Sequence, residues 1–397
     1  MKLRKLFLLT IFTLLGTQYI FSQETKDIVI GQTTTITSKI LDSEREVLIY
    51  LPVSYDQNDY NFYPVIYLLD GKKFFHSFSG VVAQLSSDAS PQIPESIIVG
   101  ITSQDRVKDS SPTKSKIGLF GKEEPYFEAS GGADDFLKFI NDELVPFVDS
   151  TYRTNSYRTF VGYSFTGLPI MHALFTDSEK FDSYIAIDFS AWWDNEVTLK
   201  NAEIFFNKEL TRNKDVFIAT ADRVVIDYYP SKDNKTWNFI QAFEQNHQKN
   251  ISFGYKKYGY KSENHHSMPL ISFIDGLKYI YRGYMINYDE MYENPYSLED
   301  KFNNISARLG VKVCLREDLG NHFGYKFLYD KPDIEKAIFY FKYNTENYPK
   351  SANAWDSLAE AYYVNGDETK ALEYYEKAFI LDPNNSDLKK KIEKLKQ

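Results

Sequence analysis

The chain has 397 residues, 43% hydrophobic and 25% charged, with a formal net charge of −9. That is ordinary globular composition, long enough for two or three domains and a sizeable core. The negative balance argues against nucleic acid or an anionic membrane surface as a partner. Cys314 is the only cysteine, which excludes an intrachain disulfide and a cysteine-rich zinc site, so it reads as a structural thiol.

In chain order, the first element is an export signal over residues 1–22. Lys2, Arg4 and Lys5 form a basic start, Leu6 to Leu15 an apolar run too short to span a bilayer, and Ser22 and Gln23 a cleavage region. This predicts a periplasmic or secreted protein with no membrane span once the signal is removed. Residues 26–52 alternate as strands do, most clearly at Val47, Ile49 and Leu51. The apolar runs 64–69 and 97–101 suit central parallel strands. Residues 131–149 read as a helix, with Asp134 and Asp135 in its first turn.

A strand at 158–161, a sharp turn and a helix at 168–175 come next. Strands at 184–187, 216–219 and 251–257 then alternate with helices at 234–247 and 269–281. Such alternation implies a mostly parallel sheet covered on both faces, here over residues 26–285. Residues 286–320 are polar and read as a connector. From 321 to 397 the chain reads as a small all-α domain. Trp355, Leu358, Tyr362, Gly366, Ala371, Tyr375, Ala378 and Pro383 fit the frame of a tetratricopeptide repeat. Ala337, Phe341 and Pro349 lie 34 residues earlier in the same frame. Two repeats and a terminal helix at 386–396 are expected, docked on the preceding core, with a protein partner possible on the repeat surface.

Gly162-Tyr163-Ser164-Phe165-Thr166-Gly167 sits between a strand and a helix, the context of a nucleophile elbow. A serine projected from such a turn stands beside the amides of a helix N-terminus, the Phe165 amide first, which can stabilise an oxyanion. A general base must take its proton. Of six histidines, His265 and His266 follow a late strand on a loop, where an α/β hydrolase carries its base. The orienting acid falls between serine and histidine in the chain. Asp222 fits, with Asp227 as the alternative and a Ser–His pair as a third arrangement.

Several ordered segments together resemble the putative-esterase family of α/β hydrolases, in its siderophore-esterase and esterase D-like branch. They include Tyr63-Pro-Val-Ile-Tyr-Leu-Leu-Asp-Gly71, Asp109-Ser-Ser-Pro-Thr113, Gly131-Gly-Ala-Asp-Asp-Phe136, Arg158-Thr-Phe-Val-Gly-Tyr-Ser164 and Glu263-Asn-His-His-Ser-Met-Pro-Leu270. The likeness covers roughly residues 30–282. It implies an α/β-hydrolase fold and acyl-ester hydrolysis by Ser164 and His265, with Asp222 the acid read from its place in the chain and no metal or cofactor. It places the base on His265 and a second oxyanion amide at Gly71 or Lys72. The implied substrate is a small ester: a siderophore, phenolic or acetyl ester. Tyr163 and Thr166 depart from the family's Gly-His-Ser-x-Gly-Gly. The alternative expectation is a hydrolase-fold binding protein of weak or no activity that uses the repeat as its partner surface.

Overall fold

The structure, a computed structural model, describes residues 27–87, 90–222, 234–259 and 261–397. The expected export signal over residues 1–22 and the alternative acid Asp227 lie outside the described residues. Among the described residues no helix is long and apolar enough to cross a membrane.

The chain opens with a hairpin, β1 (Gln32–Ser38) and β2 (Ser43–Tyr50), then β3 (Tyr63–Leu68), α1 (Gly71–Ser86), β4 (Ile97–Ile101) and α2 (Arg106–Ser110). Helices α3 (Ala133–Phe139) and α4 (Val145–Thr151) are joined by a π-helical turn, Ile140–Leu144. The wider turn ends beside Pro146, which has no N–H to keep an unbroken α-helical ladder through 131–149. Then follow β5 (Thr154–Tyr163), α5 (Gly167–Thr176), β6 (Ser183–Ile187), α6 (Trp193–Phe205), β7 (Lys214–Ala221), α7 (Lys235–Asn246), β8 (Ile251–Tyr258) and α8 (Pro269–Ile280).

These strands form one eight-stranded sheet in the order β1-β2-β4-β3-β5-β6-β7-β8. The hairpin is antiparallel and pairs antiparallel with β4; the rest, β3 to β8, run parallel. Side chains of a strand alternate between faces. Tyr184 and Ala186 of β6 therefore join one apolar cluster, with α3 to α7, while Ile185 and Ile187 join the other, with α1 and α8. Both faces are covered, which is why these strands read as unbroken apolar runs.

The second cluster does not stop at α8. It runs on through α9 (Tyr288–Glu293), α10 (Ser297–Leu309), α11 (Glu317–Tyr325), α12 (Ile334–Asn347), α13 (Ala352–Val364), α14 (Glu368–Leu381) and α15 (Ser386–Leu395). Residues 286–320 are thus no plain connector. Leu298, Phe302, Ile305 and Leu309 make a buried stripe on α10, spaced to one helix face among polar neighbours. Polar ties reinforce the docking. Tyr60 donates to Glu317 at 2.9 Å, Arg316 donates to the Ser86 carbonyl at 2.6 Å, and Arg308 and Arg282 grip Asp215 of β7 at 2.9 and 2.7 Å.

One continuous core predicts one cooperative unit. Phe323 of α11 is fully buried, stacked on Tyr340 and in edge contact with Tyr292. Phe323→Ala is expected to cost about 3–5 kcal/mol and to lower a single calorimetric transition. Two separate transitions, with only one displaced by the substitution, would contradict the shared core.

Candidate active site

Strand register brings the reactive groups together. Tyr163 at the end of β5 pairs with Ile187 at the end of β6, so the next residues, Ser164 and Asp188, stand side by side at the carboxyl edge of the sheet. Both leave their strands in left-handed backbone, φ 56° for Ser164 and 39° for Asp188. Non-glycine residues seldom adopt it, and such strain concentrates where a side chain must be aimed. The Ser164 carbonyl accepts from the Ser190 amide at 3.0 Å, and the Asp188 amide donates to Ala219 at 2.7 Å, so both turns are held.

The loop after β8 supplies the third member. His265 Nε2 lies 3.1 Å from Ser164 Oγ, and its Nδ1 lies 2.6 Å from Asp188 Oδ2. The other oxygen of Asp188 accepts from Thr220 Oγ1 at 2.7 Å. Asp188 is 1% exposed, and His265 is one-third exposed and open to a substrate. A serine hydroxyl facing one imidazole nitrogen, with a buried carboxylate on the other, is the arrangement that can deprotonate an alcohol and stabilise the resulting imidazolium.

Ser164 and His265 are therefore brought together; Asp222 is not. Strand β7 runs to Ala221, two residues past the expected end, and the Asp222 amide bonds the Tyr258 carbonyl of β8 at 2.8 Å. The Asp222 side chain pairs instead with Lys257 at 2.9 Å. The acid against His265 is Asp188, one strand earlier. An aspartate immediately after the apolar run 184–187 was the available signal. His266 is exposed, and His172 turns away to Asp134 at 2.6 Å.

The elbow accommodates both departures from the family pattern. Close approach falls on Gly162 and Gly167: a Cβ would meet the Thr166 carbonyl oxygen at 2.2 Å and Phe189 Cβ at 2.4 Å, respectively. Thr166 has ordinary helical φ of −73°, and its hydroxyl accepts from the Tyr163 amide at 3.1 Å. The Tyr163 ring stacks on the His265 imidazole at 4.9 Å, and its hydroxyl donates to the His265 carbonyl at 2.8 Å. Tyr163→Phe keeps the stacking and removes only that bond. A loss of about threefold to tenfold in kcat is expected, since a misplaced base costs rate; an unchanged kcat would show that the bond does not position the base.

Of the expected oxyanion donors, Phe165 follows Ser164 in the first turn after β5, and Gly71 and Lys72 open α1. First-turn amides have no intrahelical acceptor and are free to bind an anion. The Lys72 side chain points elsewhere, to Glu46 at 2.9 Å. Asp70, also left-handed at φ 55°, precedes this turn and takes a two-pronged bond from Arg106, both contacts at 2.8 Å. Burial alone lowers the Arg106 pKa, but the bonds and charge of Asp70 outweigh it and hold the guanidinium above its ordinary value. Beside Ser164 stands an aromatic wall. Phe165 contacts Phe127 and Trp193, with half-buried Trp192 and exposed Tyr126 at its rim.

This fold belongs to a recognised class. Residues 38–266, more than half of the chain, match the family described as putative esterase, and the chain belongs to that family of α/β hydrolases. Residues 352–385 match the tetratricopeptide repeat. The chain is similar to an IroE-like serine hydrolase from Shewanella oneidensis, at 30% identity and a TM-score of 0.71, covering 80% of this chain and 99% of that one. Ferri-bacillibactin esterase BesA of Bacillus subtilis is 30% identical over 185 residues, 43% of this chain and 63% of that protein. Siderophore enterobactin esterase of Emericella nidulans is 43% identical over 86 residues, 21% of this chain and 28% of that protein. The chain thus spans less than two thirds of the length of these two curated relatives.

Proposed function

We propose that the protein is an exported serine esterase that cleaves carboxylic esters through an acyl-enzyme, with an ester that carries aromatic rings, such as a catecholate siderophore, as substrate. The observation that carries this reading is the 3.1 Å approach of His265 Nε2 to Ser164 Oγ with Asp188 behind the ring. Ser164 Oγ attacks the ester carbonyl as His265 takes its proton. The carbonyl oxygen, now negative, is held by the amides of Phe165 and of Gly71 or Lys72. The tetrahedral species expels the alcohol, which receives the proton from His265. Water, deprotonated by the same imidazole, then attacks the acyl-enzyme and frees the acid and Ser164. Asp188 keeps the ring in the required tautomer and stabilises its charged form.

The aromatic wall from Phe165 to Tyr126 favours a substrate with planar aromatic rings, which stack on such faces at about 0.5–1.5 kcal/mol per contact beyond their buried area. The relatives whose names give siderophore esters as substrates agree with this choice. The basic and apolar residues 1–22 support export, and cleavage near Gln23 follows from it. The test is to incubate the purified protein with a ferric catecholate triester, a feruloyl ester and a short acetyl ester and to quantify the acids released. Faster turnover of the two ring-bearing esters supports the reading. Equal or faster turnover of the acetyl ester removes the substrate assignment, and no turnover of any ester removes the activity.

A further inference from the structure

We infer that Thr166 is a positioning residue that ties the nucleophile turn to the turn supplying the second oxyanion amide. The inference rests on the acyl-enzyme reading above. An oxyanion hole built from two chain segments works only if their amides converge on one point, and errors near 1 Å are costly. Here one donor follows Ser164 at the end of β5, and the other opens α1 after β3. The two turns are joined through one hydroxyl.

Thr166 Oγ1 accepts the Tyr163 N–H at 3.1 Å, which anchors it to the elbow. Its proton is within reach of Asp70 Oδ2 at 3.0 Å and of the Tyr163 carbonyl at 2.9 Å, and the charged carboxylate is the stronger acceptor. Asp70 is the left-handed residue that starts the Gly71–Lys72 turn. The same carboxylate is gripped by Arg106, whose guanidinium also reaches the Tyr163 carbonyl at 3.4 Å. Elbow, Thr166, Asp70 and Arg106 therefore close a ring of bonds that links the two turns. Thr166 is 1% exposed, so solvent does not compete for these bonds. A glycine at this position leaves the elbow intact but has no hydroxyl to close the ring.

A local helix-start role for Thr166 needs only the Tyr163 bonds; the positioning role also needs Asp70. The variants that separate them are Thr166→Val, which keeps shape and removes the hydroxyl, Thr166→Ser, which keeps the hydroxyl, Asp70→Asn, and the Thr166→Val/Asp70→Asn double variant. The substrate is 4-nitrophenyl acetate, and the parent is first labelled with a fluorophosphonate to establish Ser164 as nucleophile. Thr166→Val is expected to lower kcat and kcat/KM by the same factor, about tenfold to a hundredfold, because the oxyanion contact is made in the transition state. Thr166→Ser is expected to recover most of that loss. The double variant is expected to be little worse than the poorer single one, since the two act as a unit.

A folded Thr166→Val enzyme within about threefold of the parent overturns the inference, as does a loss confined to KM or losses that multiply in the double variant. Should Thr166→Val fail to fold, Asp70→Asn decides by the same kcat criterion. A parent that is not labelled at Ser164 ends the acyl-enzyme reading and this inference with it. A labelled parent with an unaffected Thr166→Val ends the inference alone.

Discussion

Ser164→Ala is expected to lower kcat/KM on a short-chain aryl ester by about a thousandfold or more, as removal of a covalent nucleophile does elsewhere. The hydroxyl faces His265 at 3.1 Å from a strained, left-handed turn, and no other side chain of the elbow has that relation to an imidazole. His265→Ala is expected to be nearly as damaging. The double variant should lie close to the single ones, because serine and histidine act as one device and lose their value together. His266→Ala should stay within about threefold of the parent, for that ring is exposed and contacts His265 only edge-on at 5.2 Å. Losses that multiply in the Ser164/His265 double variant would show two independent contributions and remove the nucleophile–base pair.

The second large effect belongs to Asp188. Asp188→Asn keeps the volume and the bond to Thr220 but presents a mixed donor–acceptor group to His265 Nδ1, which favours the wrong tautomer. A loss of about a thousandfold to ten-thousandfold in kcat is expected. Asp222→Asn breaks only the half-exposed pair with Lys257, worth about 0–1 kcal/mol, and should leave kcat within about twofold. A steady-state comparison of the two variants at one pH is sufficient. Should Asp222→Asn prove the damaging change and Asp188→Asn the mild one, the acid seen against His265 would not be the one that serves it.

Local patterns were the legible part of this protein. The elbow shows in sequence because strand, turn and helix follow one another within 154–176, and His265 shows because its motif is contiguous. Asp188 was not legible from the same reasoning. Its role depends on which strands are neighbours and in what register, and the Tyr163–Ile187 pairing is a long-range fact that no window of residues contains. The length of β7 had the same character. Two further residues paired with β8 carry Asp222 out of reach of the imidazole. Thr166 departs from the glycine of the family pattern, yet the glycines that close approach requires in the elbow, Gly162 and Gly167, are both present.

The C-terminal half divided in the same way. The frame from Trp355 to Pro383 was readable because helical repeats are periodic; Leu358, Tyr362, Ala371, Tyr375 and Ala378 are buried, while Trp355 is only partly so. Residues 286–320 were not, because the apolar stripe of α10 is diluted by polar residues on its other faces. Its partners are also distant in sequence: Arg308 of α10 reaches Asp215 across 93 positions. That helix shows as such only once the core it covers is in place.

The central claim is that Ser164, aimed by β5 and faced by His265, is a covalent nucleophile. Treating the full chain with a fluorophosphonate and mapping the adduct by peptide mass spectrometry tests it most directly, because the reagent marks an activated serine whatever the natural ester is. One adduct per chain on Ser164, formed far more slowly in His265→Ala, is the predicted result. No adduct, or an adduct on a different serine, would contradict it.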